Sequence, residues 1–292
     1  MRGPELVGEA PSFVRWTDDG DWIYFRWKPG GRPWHEDTEF HRVPARGGTP
    51  QQVTDAHMDS VGPMLASGDY SRDRRWKVVT HRGDIWLIDR RAGEVRRLTA
   101  TEDVETSPVF SPDGRTIAFT TDEGGMENLW LADADGRNRR PLVTDKSAYI
   151  RSAAWLPDGQ YLVARKEDAK RAGLPPTELW MYHRFGGMGV KLTDGNAISA
   201  ATGPVASRDG RFIYYAIRRG RFNYEPNLRG GLWAIVRYDR QTGERVTLTR
   251  GIGGAARPAI SPDGETLVFI SRRDADTVLV ARTLATGAER VL

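Results

Sequence analysis

Six copies of one short phrase, a recurring aliphatic–threonine pair, and the lack of any long segment with helical apolar spacing predict an all-β chain. The architecture they specify is a β-propeller of six four-stranded antiparallel blades. The phrase is clearest in Ser111-Pro112-Asp113-Gly114-Arg115-Thr116-Ile117-Ala118-Phe119 and again in Ser261-Pro262-Asp263-Gly264-Glu265-Thr266-Leu267-Val268-Phe269. Looser copies surround Asp19, Asp73, Asp158 and Asp209. The six aspartates recur at intervals of 40 to 54 residues, close to the roughly 40–50 residues of a propeller blade.

Each copy is followed by the same elements in the same order. Proline's fixed φ, an Asx-type hydrogen bond from aspartate and a permissive glycine turn the chain tightly after the first strand. A β-branched and aromatic second strand comes next, such as Ile23-Tyr24-Phe25 or Phe212-Ile213-Tyr214-Tyr215. The third often carries tryptophan, as in Ile85-Trp86-Leu87-Ile88, Leu129-Trp130-Leu131 and Leu179-Trp180-Met181. These tryptophans are expected to pack between blades. A Gly- or Asp-rich turn follows, and the fourth strand closes on Val53-Thr54, Leu98-Thr99, Val143-Thr144, Leu192-Thr193 or Leu248-Thr249. The blades are placed at about residues 10–54, 60–99, 105–144, 150–193, 201–249 and 255–292 of one domain spanning 1–292. One such sheet cannot bury both of its faces, whereas a ring of them can. A helical solenoid is excluded on pattern: the only helix-tolerant stretch is Glu167-Asp168-Ala169-Lys170-Arg171-Ala172, ended by Gly173 and Pro175-Pro176.

Bulk composition narrows the function. Among 292 residues 39% are hydrophobic, enough for a sizeable core, yet no run approaches the roughly 18 apolar residues of a membrane span. Met1-Arg2-Gly3-Pro4-Glu5-Leu6 lacks the apolar stretch of a secretory signal, so the expected location is the cytoplasm unless a leader has been removed. The net charge is +4, with 43 basic residues scattered among 39 acids and no basic run longer than pairs such as Arg139-Arg140. That describes a solvated surface rather than a nucleic-acid footprint. With no cysteine, disulfides, thiol nucleophiles and cysteine-held zinc are excluded.

The two clearest phrases resemble the TolB-like, or WD40-like, propeller repeat, and the likeness runs along nearly the whole chain. Arg2-Gly3-Pro4-Glu5-Leu6, Tyr24-Phe25-Arg26-Trp27, Tyr70-Ser71-Arg72-Asp73 and Gly83-Asp84-Ile85-Trp86-Leu87-Ile88-Asp89 resemble the propeller of prolyl oligopeptidase and dipeptidyl peptidase IV-like serine peptidases. That resemblance implies a propeller which precedes an α/β-hydrolase domain and filters peptides toward its serine, in a periplasmic or secreted setting. Glu178-Leu179-Trp180-Met181-Tyr182-His183 and Val236-Arg237-Tyr238-Asp239 are also similar to TolB-like propellers that precede amidohydrolase domains.

No catalytic site is legible. No serine has glycine at both −2 and +2, the arrangement a hydrolase nucleophile elbow requires. His35, His41, His57, His81 and His183 show no His-x-His or His-Glu-x-x-His spacing. His35-Glu36-Asp37 with His41 is the nearest approach to a metal cluster and is read as a solvated loop. Gly251-Ile252-Gly253-Gly254 precedes no helix that could present amides to phosphate. No cofactor is expected. Three long connections between second and third strands, Lys28 to Thr38, Lys166 to Thr177 and Arg218 to Gly231, would gather Trp34, His35, Arg219, Arg221, Phe222 and Tyr224 on one rim. Aromatic and arginine side chains on such a rim are typical interface anchors; the competing reading is that they cover the blade tops. The expected partner is a peptide or protein. Because Val291-Leu292 stops one residue short of the closing threonine, the chain is expected to be a fragment of a longer hydrolase, its catalytic domain lying beyond.

Overall fold

Each blade is a meander whose strands hydrogen-bond in sequence order, every pair antiparallel. The structure, a computed structural model, describes residues 12–17, 19–28, 39–170, 177–193, 202–218, 233–250, 254–273 and 276–292. The chain forms two compact units, residues 1–100 and 101–292. In the first, blade 1 holds β1 (Ser12–Trp16), β2 (Trp22–Trp27), β3 (Glu39–Pro44) and β4 (Gln51–Gln52), and α1 (Asp55–Leu65) follows it. Blade 2 holds β5 (Gly68–Tyr70), β6 (Trp76–His81), β7 (Asp84–Asp89) and β8 (Glu94–Arg97).

The second unit carries four blades. Blade 3 is β9 (Glu105–Phe110), β10 (Thr116–Thr121), β11 (Asn128–Asp133) and β12 (Arg140–Pro141). Blade 4 is β13 (Ala148–Trp155), β14 (Tyr161–Asp168), β15 (Thr177–His183) and β16 (Val190–Lys191). Blade 5 is β17 (Thr202–Ala206), β18 (Phe212–Arg218), β19 (Trp233–Asp239) and β20 (Arg245–Thr247). Blade 6 is β21 (Ala255–Ile260), β22 (Thr266–Arg273), β23 (Asp276–Thr283) and β24 (Glu289–Val291). Six four-stranded antiparallel blades, nearly all β, make the chain a six-bladed β-propeller.

Alternation along the strands explains why their sequences are apolar on both faces. Leu162 and Ala164 of β14 pack with Ala118, Leu129 and Leu131 of blade 3, while Val163 between them packs with Ile213, Tyr215 and Val236 of blade 5. Likewise Tyr214 and Ala216 of β18 turn to Leu267, Phe269 and Val280 of blade 6. The core therefore lies between blades, each buried large side chain contributing about 1.5–3 kcal/mol. Trp180 packs at the margin of the blade 3–4 cluster.

The repeated phrase folds as one hydrogen-bonded knot. Thr17, Ser71, Ser111, Ser207 and Ser261 donate their hydroxyls to Asp19, Asp73, Asp113, Asp209 and Asp263 at 2.5 to 2.7 Å. The same aspartates accept the backbone N–H two residues on, at 2.9 to 3.1 Å. Each hydroxyl oxygen in turn accepts the N–H that opens the second strand. The turn glycine stands at positive φ, for example 69° at Gly114, and blade 2 places Arg74 there at φ 57°. Blade 4 has Leu156 in place of the hydroxyl residue, and only the Asp158 bond to the Gln160 N–H remains.

These hydroxyl bonds hold the five carboxyls below the ordinary value of 3.8. Because the folded state depresses them, their stabilisation is present above that value and lost as the pH falls through the folded ones. The melting temperature should fall between about pH 5 and pH 2. It should fall less steeply in a variant combining Asp113→Asn and Asp209→Asn. A wild-type melting temperature flat over that interval, by calorimetry, would contradict this account.

Two details depart from the sequence expectation. Glu167 and Asp168, in the stretch read as helix-tolerant, end strand β14, paired with Thr177 and Ala148. The long helix of the described residues is α1, which the sequence reading missed. Thr54 closes no hairpin as Thr99 or Thr193 does; it caps α1, its Oγ1 accepting from the His57 N–H at 3.3 Å. Met58, Gly62 and Leu65 lie at i, i+4 and i+7, and Met58 and Leu65 pack on Tyr24. Gly62 and Pro63 interrupt the apolar stripe and hide it in the sequence.

First strands carry a further regularity. Register shifts occur in β1, β9, β13, β17 and β21 against their second strands. Four of them place a non-glycine residue at positive φ: Phe13, Ser107, Ser152 and Arg257. Such bulges bend and re-aim a strand.

Candidate functional site

The six residues expected to form a binding rim, Trp34, His35, Arg219, Arg221, Phe222 and Tyr224, all lie outside the described residues. The strands that flank their loops are defined. Trp27 pairs with Glu39, Glu167 with Thr177, and Arg218 with Trp233, so each loop joins a second to a third strand.

At those same strand ends, in blades 3 and 4, the structure places a layer of charge. Glu105 opens β9 with no solvent exposure. It accepts the Thr101 hydroxyl at 2.6 Å and the Arg139 guanidinium at 3.0 Å. Arg139 also reaches Glu123 at 3.1 Å and lies over the Phe119 and Trp130 rings. In blade 4, Arg151 of β13 pairs with Glu127 and Glu167, and Arg165 pairs with Glu167 as well. Lys166 sits over the Trp180 ring and holds Asp145 at 2.7 Å. Burial would raise the Asp145 carboxyl, but the Lys166 ammonium and the Ser147 donors outweigh it and bring it down to about 2.

Chemically this layer is an internally compensated ionic frame. It can position loops and accept polar backbone groups at its margin, where Arg151 remains 37% exposed. Among the described residues no group of three or more histidines and carboxylates could hold a metal ion, and no helix is long and apolar enough to cross a membrane. Sequence reasoning missed this layer because its pairs lie up to 34 residues apart. The available signal was a charge at an inner-strand position where the repeat calls for an apolar residue, at Glu105 and Arg151.

At the opposite strand ends, a cleft of about 1020 Å³ lies between blades 5 and 6, lined by Asp209, Phe212, Arg237, Asp263 and Arg282 among others. Arg237 stacks on Phe212 at 4.7 Å, and Arg282 donates to the Leu248 carbonyl and to Glu289. No sequence signal anticipated this cleft, which arises from the meeting of two blades.

Six repeated four-stranded antiparallel meanders define a propeller domain, a fold that serves as a scaffold for many functions. Within that class the chain belongs to the family of the Tricorn protease N-terminal β-propeller domain, whose model matches residues 64–231. It is 26% identical over 191 residues to the uncharacterized peptidase YuxL of Bacillus subtilis strain 168, covering 65% of this chain and 25% of that protein. A 47-residue stretch is 45% identical to the Tol-Pal system protein TolB of Anaeromyxobacter dehalogenans, 16% of this chain and 11% of that protein. The match thus spans a quarter or less of these curated relatives. Among solved structures, a putative TolB from Agrobacterium tumefaciens superposes with a TM-score of 0.61 at 19% identity, over 77% of this chain and 79% of the other. A prolyl endopeptidase does so with a TM-score of 0.60 at 11% identity, over 97% and 42%. These two show the shared fold.

Proposed function

We propose that this chain is the non-catalytic propeller of a serine peptidase of the prolyl oligopeptidase type, gating or docking peptide for a covalently linked hydrolase domain. The observation that carries the proposal is the likeness to the peptidase YuxL over 191 residues, alongside a family match named for a protease. Blades 4 and 5 send their long second-to-third-strand loops from the same ends as the ionic layer. Arg219, Arg221, Phe222 and Tyr224 would there meet a peptide entering toward a catalytic domain. A periplasmic or secreted location goes with this role. The second reading is a TolB-like protein-binding scaffold, favoured by the 45% identical stretch.

Two measurements test the proposal. The purified 292-residue chain should give no turnover of chromogenic dipeptide or ester substrates, and turnover above background would overturn its non-catalytic role. Reading the gene beyond Leu292 should find a Gly-x-Ser-x-Gly segment; a stop codon there would favour the scaffold, and His-x-His an amidohydrolase.

A further inference from the structure

The turn joining β15 to β16 differs from its counterparts in the other five blades. Those turns carry polar residues at their tips: Arg46 and Thr49, Arg90 and Arg91, Asp135 and Arg137, Gln241 and Thr242, and Thr286. Blade 4 instead reads His183-Arg184-Phe185-Gly186-Gly187-Met188-Gly189-Val190-Lys191. Phe185 is 76% exposed, Met188 94% and Val190 56%. None of the other five turns holds a large exposed apolar side chain. The repeat is its own control: six turns perform one structural task, five do so with polar tips, and the apolar tip is not needed to close a hairpin. Single exposed apolar residues are ordinary, but Phe185 and Met188 lie within four positions on one turn, with exposed Val190 opening β16 beside them; such a cluster marks an interaction site, and phenylalanine and methionine are enriched at such sites.

The tip is also held in place. The Arg184 guanidinium donates to the Gly159 carbonyl and to the Thr116 hydroxyl of blade 3, both at 3.2 Å. Arg140 donates to the Arg184 carbonyl at 2.7 Å, and Gly189 sits so close to the Tyr182 ring that an added Cβ would lie 2.6 Å from it. A preorganised knob loses little entropy on docking.

Charge identifies the occupant. No acid occurs from His183 to Lys191. Arg184 and Arg140 spend their hydrogen bonds on carbonyl and hydroxyl oxygens and form no ion pair among the described residues. The nearby carboxylates have partners in their own turns, Asp113 the Ser111 hydroxyl and Asp158 the Gln160 N–H. We propose that Phe185 and Met188 dock into an apolar socket rimmed by carboxylates on a partner protein. This surface is independent of the loops invoked for peptide gating, so either proposal can fail alone.

The test uses the whole chain and a fluorescein-labelled peptide of about twelve residues, with leucines at i, i+4 spacing and glutamates elsewhere. Anisotropy should show saturable binding to the wild type. Binding should be at least about tenfold weaker when lysines replace the glutamates, and again when the protein carries Phe185→Ser and Met188→Ser. Both side chains are solvent-exposed, so the variant should keep the wild-type melting temperature; Met188→Ser alone serves if the pair does not. No saturable binding, equal binding of the two peptides, or binding that survives the substitutions overturns the proposal. So does self-association of the wild type, seen by sedimentation velocity and abolished by the substitutions, which would give the tip to a second copy of this chain.

Discussion

Arg139→Ala should destabilise the second unit by about 3–5 kcal/mol, the range for removing one partner of a buried ion pair. The reason is Glu105, which has no solvent exposure and receives the guanidinium at 3.0 Å. With arginine gone, a buried carboxylate loses the guanidinium at 3.0 Å or takes up a proton. Arg139 also covers the Phe119 and Trp130 rings, so alanine removes packing as well. Denaturant titration of Arg139→Ala, Glu105→Gln and the double variant separates the contributions. The double variant should be more stable than Arg139→Ala, since a neutral amide no longer demands a cation. A loss below about 1 kcal/mol in Arg139→Ala would show that the pair behaves like a surface ion pair.

Gly68→Ala should be the most damaging single-methyl change in the first unit, costing about 2–3 kcal/mol. A Cβ built there lies 2.1 Å from the Val78 carbonyl oxygen and 2.6 Å from Val79 Cγ1. The first is backbone inside the ladder that pairs Gly68 with Val79, so it cannot rotate aside as a side-chain end could. Strand β5 has three residues and must separate from β6 or forfeit its register. Gly93→Ala is the matched control: nothing lies within 4 Å of its added Cβ, but its φ is +72°, which costs about 1 kcal/mol in backbone strain. A melting-temperature loss clearly larger for Gly68→Ala supports the steric account; equal losses would sink it.

The repeat was legible because every link is local. Ser111, Asp113 and Gly114 lie within four residues, and the hydroxyl–carboxylate–amide knot they form depends on chain geometry rather than on distant partners. The alternation of Leu162, Val163 and Ala164 was likewise readable, since a strand with neighbours on both faces must be apolar on both. Helix α1 was not readable. Its buried residues include Met58, Gly62 and Leu65; the glycine carries no apolar signal and faces His81, and Met58 and Leu65 become core where Tyr24 packs on them.

The sequence by itself determined the six-fold meander, the turn chemistry, and membership of a propeller class. Tertiary structure decided which charges are buried, pairing Glu105 with Arg139 across 34 residues. It also made the cleft between blades 5 and 6 and left Phe185 and Met188 in solvent while Leu179 and Tyr182 beside them went under. Local hydrogen-bond geometry is written in consecutive residues. Burial is a property of what packs against a residue, and those partners lie tens of residues away, in the next blade.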